Sequence, residues 1–316
     1  MLGERPPTSK LGVDANARST FDPGSMSLVV AQVTEEGPRI VSDTRVAFPD
    51  DRRPSYRTGV LKTIVVSREW TVSFAGNVPV GLDAVRAFAR HVNSPADVED
   101  AIRDLAKATV ESRGAVEFIV SSAANESKLI RIRSGGVERD LLVAWIGDFA
   151  AFERFQSERS RPQDPNLERI WASTPRSAQI MRSLGEAMSS VIADSSIESV
   201  NDFCVATASK DGAFNYFPSM FIHVGRALQI RDGDDLVSKM AQPVAEGGFA
   251  VSIVEPMHPG TPALGLNFPR ARLGMLFLPL QFDEAQVVQD VSPNDFARVI
   301  RERFGVELCE PMLRSP

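Results

Sequence analysis

A chain of 316 residues with 43% hydrophobic and 24% charged content can bury one large core or two modest ones. Its net charge of -6 and pI near 5.3 exclude the broad basic face that nucleic acid or an anionic membrane requires. Two cysteines, Cys204 and Cys309, without CxxC spacing, exclude a disulfide framework and a cysteine-based structural metal site, and fit a reducing cytosol.

In chain order, residues 1–26 are rich in Pro, Gly, Ser and charge and lack the apolar run of a secretory signal. They read as a disordered leader, and no run of about 18 apolar residues elsewhere suggests a membrane span. Ser27 then opens the β-branched run S-L-V-V-A-Q-V, a predicted strand, with Glu35-Glu36-Gly37-Pro38 as its turn. The returning strand is R39-I-V-S-D-T-R45, in which Asp43 and Arg45 share one face. Further strands are expected over L61-K-T-I-V-V66 and W70-T-V-S-F-A-G76. The four together predict an antiparallel meander.

The period then changes. Leu82, Val85, Phe88, Ala89 and Val92 define one helical face, and Val98, Ile102, Leu105 and Thr109 a second helix from Pro95 to Val110. Strands resume over A115–S121, K128–R133 and V137–I146, with turns at Asn125 and Gly135-Gly136. Gly147-Asp148 opens a helix over F149–F155, and a longer helical region runs from Leu167 to about Ala193. Strands over F203–S209 and N215–V224 flank a hairpin turn at Lys210-Asp211-Gly212. Two antiparallel sheets packed face to face, each covered outside by a helix pair, would bury every apolar face. The expected fold is therefore α+β, a four-layer αββα sandwich.

Beyond Arg226, the runs Gly247–Val254 and Leu273–Pro279 read as buried strands. The segment S292-P-N-D-F-A-R-V-I-R-E-R-F-G305 reads as a helix with Ser292 as N-cap, Pro293 in the first turn, Phe296, Val299, Ile300 and Phe304 inward, and Gly305 as stop. The expected organisation is a leader over 1–26, a core domain over 27–225 and a packed C-terminal extension over 226–316.

A serine hydroxyl needs a base before it can attack a carbonyl. The three histidines, His91, His223 and His258, sit on a helix, in a strand and in a Pro-rich loop, and no GxSxG elbow is present, which argues against a Ser-His-Asp triad. An α-amine, with an ordinary pKa of about 7.7–8.0, is the alternative base, available if Ser27 becomes the N-terminal residue.

The segment from Ser27 to about Val224 resembles a β-type subunit of the proteasome family of N-terminal nucleophile hydrolases. Ser27 falls where that family has its N-terminal threonine. Asp43 lies sixteen residues on, in the place of the active-site acid, and Arg45 completes the D-x-R. Lys62, thirteen residues before Ala75 of the Ala75-Gly76 pair, matches the catalytic lysine, and Gly76 the glycine whose N–H forms the oxyanion hole. Trp145-Ile146-Gly147-Asp148 resembles the family's I-G-S-G, with Asp148 in place of the small residue. Asp194 matches the aspartate that supports the nucleophile's amine, although Ile197, between Ser196 and Ser199, stands where a supporting serine is expected. The resemblance implies the αββα sandwich and cleavage of a peptide or amide substrate by Ser27. It also implies a cytoplasmic homo-oligomeric ring, an ATPase or unfoldase partner, and no cofactor or metal. Two alternatives remain within the same fold: a catalytically inactive scaffold or assembly subunit, and a small-molecule amidase. The free amine is expected from translation starting at Met26, with removal of that methionine exposing Ser27, or from self-cleavage of the Met26–Ser27 bond.

Overall fold

The computed structural model describes residues 27–44, 60–92, 95–124, 129–161, 174–197, 199–200, 204–217, 220–223, 249–256, 263–268, 272–278 and 281–309. The chain is mixed α+β and every strand pairing is antiparallel among the described residues.

The first sheet begins with β1 (Leu28–Thr34) and β2 (Gly37–Ser42), a hairpin closed by the Thr34 and Gly37 pair. Three later strands join it: β8 (Val143–Gly147), β9 (Val205–Lys210) and β10 (Ala213–Tyr216), giving the order β10-β9-β2-β1-β8. The second sheet runs in chain order: β3 (Thr63–Val65), β4 (Trp70–Gly76), β5 (Val116–Ser122), β6 (Leu129–Arg133) and β7 (Gly136–Leu141). The expected four-strand meander is thus divided, with β1 and β2 in one sheet and β3 and β4 in the other. Period-two alternation fixes that each segment is a strand and leaves its neighbours open. Residues 45–59, outside the described residues, separate the two hairpins and give the chain length to change sheets.

A second correction concerns Val137–Ile146, expected as one strand. It is two strands in different sheets, divided at Leu142. Asp140 takes a positive φ of 58°, which a regular strand does not accommodate, and the Leu142 carbonyl accepts the Val33 N–H at 2.8 Å, handing the chain over to β1.

Helices α1 (Val78–His91) and α2 (Pro95–Glu111) pack on each other and on the second sheet at β4, β5 and β6. Helices α3 (Phe149–Arg159) and α4 (Arg176–Ala193) pack together, and α4 lies on β1 and β2. Periodicity places both pairs: Leu82, Val85 and Phe88 of α1 and Met181, Leu184, Met188 and Val191 of α4 are buried. Between the sheets, β1 meets β4, and β8 meets β4, β5 and β6. The long helix expected from Leu167 is described only from Arg176.

A third sheet contains β11 (Met220–His223), β12 (Phe249–Pro256), β13 (Leu264–Phe268), β14 (Leu273–Leu278) and β15 (Gln281–Gln289) in that order, with β16 (Leu308–Cys309) beside β12. The expected strand over Asn215–Val224 is therefore split between two sheets. One face of this sheet, carrying Leu264, Leu266, Met275 and Phe277, belongs to the same buried cluster as Phe74 and Phe118. The other face is covered by α5 (Pro293–Phe304), with Ser292 as N-cap and Gly305 as C-cap as the sequence predicts. Phe296 lies over Gly265 and Gly274: a Cβ on Gly274 would collide with its ring, and one on Gly265 would stand 3.2 Å from it and collide with Leu308.

Because Phe296 is wholly buried against these two glycines, Phe296→Ala leaves a void that neighbouring side chains cannot fill. It should destabilise the protein by about 3–5 kcal/mol, measured from urea unfolding. A loss well below 1 kcal/mol would mean that α5 does not hold the third sheet.

Candidate active site

Ser27 lies immediately before β1, 1% exposed, and its carbonyl accepts the Asp148 N–H at 2.9 Å. Its Oγ is buried and, among the described residues, has no hydrogen-bond partner. The next residue sets the register: Leu28 N–H donates to Asp43 Oδ1 at 3.0 Å, and Asp43 N–H donates to the Leu28 carbonyl at 3.3 Å. Asp43 is 0% exposed, so its carboxylate caps the start of β1 from inside the protein.

Lys62 precedes β3 and is also 1% exposed. Its carbonyl accepts the Phe74 N–H at 2.8 Å, which places its side chain on the face of Phe74, and its Nζ stands 5.1 Å from the centre of that ring. Asp43 and Lys62 are both partnered. Gly76 ends β4 at φ 108°, and a Cβ there would collide with the Ala115 carbonyl, so the position accepts glycine alone.

The two sheets meet at Gly147. This residue ends β8 at φ 104°, pairs with Leu28, and has no room for a side chain. A Cβ would collide with the Ser27 carbonyl oxygen and stand 2.8 Å from the carbonyl carbon and 3.3 Å from the Ala75 Cβ. Ser27, just before the first sheet, and Ala75 of the second therefore converge on one glycine. The structure brings together Ser27, Asp43 and the Ala75-Gly76 pair by contact or shared neighbours, and buries Lys62 alongside Phe74 of the same β4 strand.

Asp194 has other partners. It caps the C-terminus of α4, where Ser196 donates to Oδ1 from Oγ at 2.6 Å and from N at 3.1 Å, and Arg154 Nε of α3 stands 3.1 Å from Oδ2. The Ser196 hydrogen bonds, with Arg154 beside them, hold its carboxyl below the ordinary value. Ser199 is buried with its hydroxyl unpartnered. Arg45, Met26 and His258 lie outside the described residues.

Two neighbours of the site have no place in the sequence reading. Cys204, just before β9, is fully buried, and burial followed by the charge of Asp43 pushes its thiol up to about 12. Glu117 on β5 stands opposite Ala75 in the β4–β5 register, 8% exposed, and accepts the Gly147 N–H at 3.2 Å. Burial pushes its carboxyl above the ordinary value, against that hydrogen bond and the charges of Arg133 and Arg131. The signal in the sequence is an acid inside the apolar run V116-E-F-I-V120.

Among the described residues, no group of three or more His, Cys, Asp and Glu side chains is arranged to hold a metal ion, and no helix is long and apolar enough to cross a membrane.

No protein-family model matches the chain, and no curated protein matches its sequence. Among solved structures the chain is similar to the Anbu (Gly-1) mutant from Hyphomicrobium sp. strain MC1, at 18% identity and a TM-score of 0.41, over 60% of this chain and 86% of that chain. At that identity and score, residue roles rest on this chain's own geometry.

Gly147→Ala should destabilise the protein by about 1–3 kcal/mol through backbone strain and displace the Ser27 carbonyl, seen as shifts of the Leu28 and Asp148 amide resonances. The control is Gly185→Ala within α4, where a Cβ meets nothing within 4 Å. That variant should be neutral or stabilising by up to about 1 kcal/mol. Similar losses in both would remove the special role of Gly147.

The raised thiol makes Cys204 inert. In native protein at mildly alkaline pH its peptide should stay unmodified by iodoacetamide, and it should react quickly in denaturant, as read by peptide mass mapping. Rapid native labelling would show the pocket around Asp43 to be open.

Proposed function

We propose that this chain is an N-terminal nucleophile hydrolase of the proteasome β-subunit type, cleaving amide bonds of peptides with Ser27. The observation that carries the reading is the setting of Ser27. Its hydroxyl is buried and uncommitted, the following N–H is held by a buried aspartate, and its carbonyl is pinned between two backbone segments at Gly147. An orphaned hydroxyl costs roughly 1–3 kcal/mol, and at Ser27 it coincides with a pinned carbonyl and a buried aspartate on the next N–H. The helix and sheet contacts support the accompanying four-layer αββα arrangement over residues 27–225, with 1–26 as leader and 226–316 as extension.

In this reading the free α-amine of Ser27 takes the proton of its own hydroxyl as Oγ attacks the carbonyl carbon of the scissile amide. The Gly76 N–H stabilises the oxyanion, and Lys62 supplies a fixed positive charge in a dry environment. Asp43 orients the start of β1 and supports Lys62, with Arg45 assisting and Asp194 supporting the amine. The protonated amine returns its proton to the departing amine, and water then hydrolyses the ester to regenerate Ser27. No cofactor takes part. The same reading places the protein in the cytoplasm as a homo-oligomeric ring, served by an ATPase or unfoldase. A second reading, an inactive scaffold subunit, draws on the 1% exposure of Ser27, because substrate must reach Oγ. A small-molecule amidase is separated from both by the substrates it turns over.

The test is N-terminal sequencing of protein from its native host, combined with a hydroxyl-directed β-lactone warhead. Mature protein should begin at Ser27 and form one covalent adduct there. Lys62→Met, which keeps the length of the side chain and removes its charge, should slow adduct formation roughly 10²–10⁴-fold while melting cooperatively. Retention of residues 1–26, or labelling unaffected by Lys62→Met, would refute the hydrolase assignment.

A further inference from the structure

We propose, on the reading that Ser27 is the nucleophile, that Glu117 is a positioning residue that holds Ser27 in place through the Gly147–Asp148 turn. Glu117 Oε2 accepts the Gly147 N–H at 3.2 Å. Gly147 fits without clearance against the Ser27 carbonyl and close to Ala75, and the next N–H, that of Asp148, donates to the same Ser27 carbonyl at 2.9 Å. Asp148 in turn caps α3 by accepting the Ala151 N–H at 3.0 Å. One carboxylate on β5, beside the Ala75-Gly76 pair, thus fixes the β8–α3 turn, and that turn fixes the nucleophile's backbone.

The surrounding charges leave Glu117 committed to this turn. Arg131 and Arg133 of β6 face it, but both pair with Glu138 of β7, at 2.6 and 2.8 Å. The charges that Glu117 meets are those two guanidiniums and the opposing carboxylate of Glu138, while β8 offers the Gly147 N–H. A hydrogen bond to an ionised carboxylate is roughly twice as strong as one to its neutral form. Protonation of Glu117 therefore loosens the grip on Gly147, and deprotonation tightens it.

The stability sign runs the other way. With its folded pKa raised, Glu117 binds its proton more tightly in the folded chain, so stability falls as pH rises from the ordinary carboxylate value through the folded midpoint. Once ionised, the residue opposes folding while it strengthens the turn, a combination expected of a group retained for positioning.

Glu117→Gln separates these effects, since the amide keeps an oxygen for Gly147 and loses the charge. In the mature protein beginning at Ser27, the Gly147 and Asp148 amide resonances are followed from about pH 4 to about pH 8, alongside the rate of β-lactone adduct formation at Ser27. In the wild type the Gly147 resonance should titrate with a midpoint above the ordinary carboxylate value, and the labelling rate should rise through the same midpoint. Glu117→Gln should flatten the Gly147 profile, remove the labelling step at that midpoint while keeping the later rise from deprotonation of the Ser27 amine, and slow labelling at neutral pH roughly 10- to 100-fold, with its melting temperature at that pH unchanged or higher. Equal labelling rates and pH profiles in the two proteins would overturn the positioning role. So would a Gly147 resonance that does not titrate. If the wild type forms no adduct at any pH while Gly147 titrates, the nucleophile assignment fails and Glu117 remains the holder of the turn.

Discussion

The site depends on a backbone packed against a backbone at Gly147. No side chain fits between this residue and the Ser27 carbonyl, and the Ala75 methyl lies just beyond. Such an approach is available only if β8 pairs with β1, which explains why the chain leaves the second sheet at Leu142 instead of extending β7. The two ends of the β1–β8 seam are pinned separately, by Leu142 accepting from Val33 and by Asp148 donating to Ser27. Register between the pins cannot slip by one residue without turning Val29 and Ala31, which face the central cluster, toward the helices.

Around this seam the protein buries groups that a core built for stability would exclude. An ion moved into the interior costs several kcal/mol even after relaxation, whereas a hydrogen bond returns about 1 kcal/mol and a cation over an aromatic ring about 0.5–2. The Leu28 N–H at Asp43 and the Phe74 ring at Lys62 each offset part of what burying those two charges costs, and both residues have further partners. Other buried groups nearby have less in return: Glu117 accepts one backbone N–H, and among the described residues the hydroxyls of Ser27 and Ser42 have no partner. Gathered at the open ends of the β1–β2 and β3–β4 hairpins and on β5, this is the pattern of a site that the surrounding core holds in an unfavourable arrangement.

Much of this arrangement is legible in the sequence, and the parts that are not share a physical origin. Helix α5 reads directly because its stop and start are local chemistry, a serine hydroxyl bonded to the Asp295 N–H and a glycine that alone turns left-handed at low strain. The resemblance to a known family, carried by the spacing of Ser27, Asp43, Lys62 and Gly76, brings those four to attention. Sheet membership is not local. The run Val137–Ile146 alternates adequately as one strand, and only the positive φ of Asp140 together with the pull of β1 divides it. Glu117 escapes notice for a related reason. An acid in a strand usually marks a solvated face, but Ile119 and Ser121 on the same side are fully buried, so that face points inward.

The third sheet extends the same dependence to the C-terminal part of the chain. Met275 and Phe277 contribute to the cluster that contains Phe74, whose ring carries Lys62, while Leu276 between them turns toward α5. A sheet buried on both faces gains roughly 25 cal/mol per Å² of apolar surface on each side, and it cannot shift as a unit without exposing one of them. Phe74 is braced by Gly81 of α1, where a Cβ would collide with its ring, and belongs to the buried cluster that includes residues of β13 and β14. Because the Lys62 ammonium sits over that ring and its carbonyl holds the Phe74 N–H, what fixes Phe74 also fixes the position of the buried charge. Packing remote in sequence thus sets the electrostatics at Lys62.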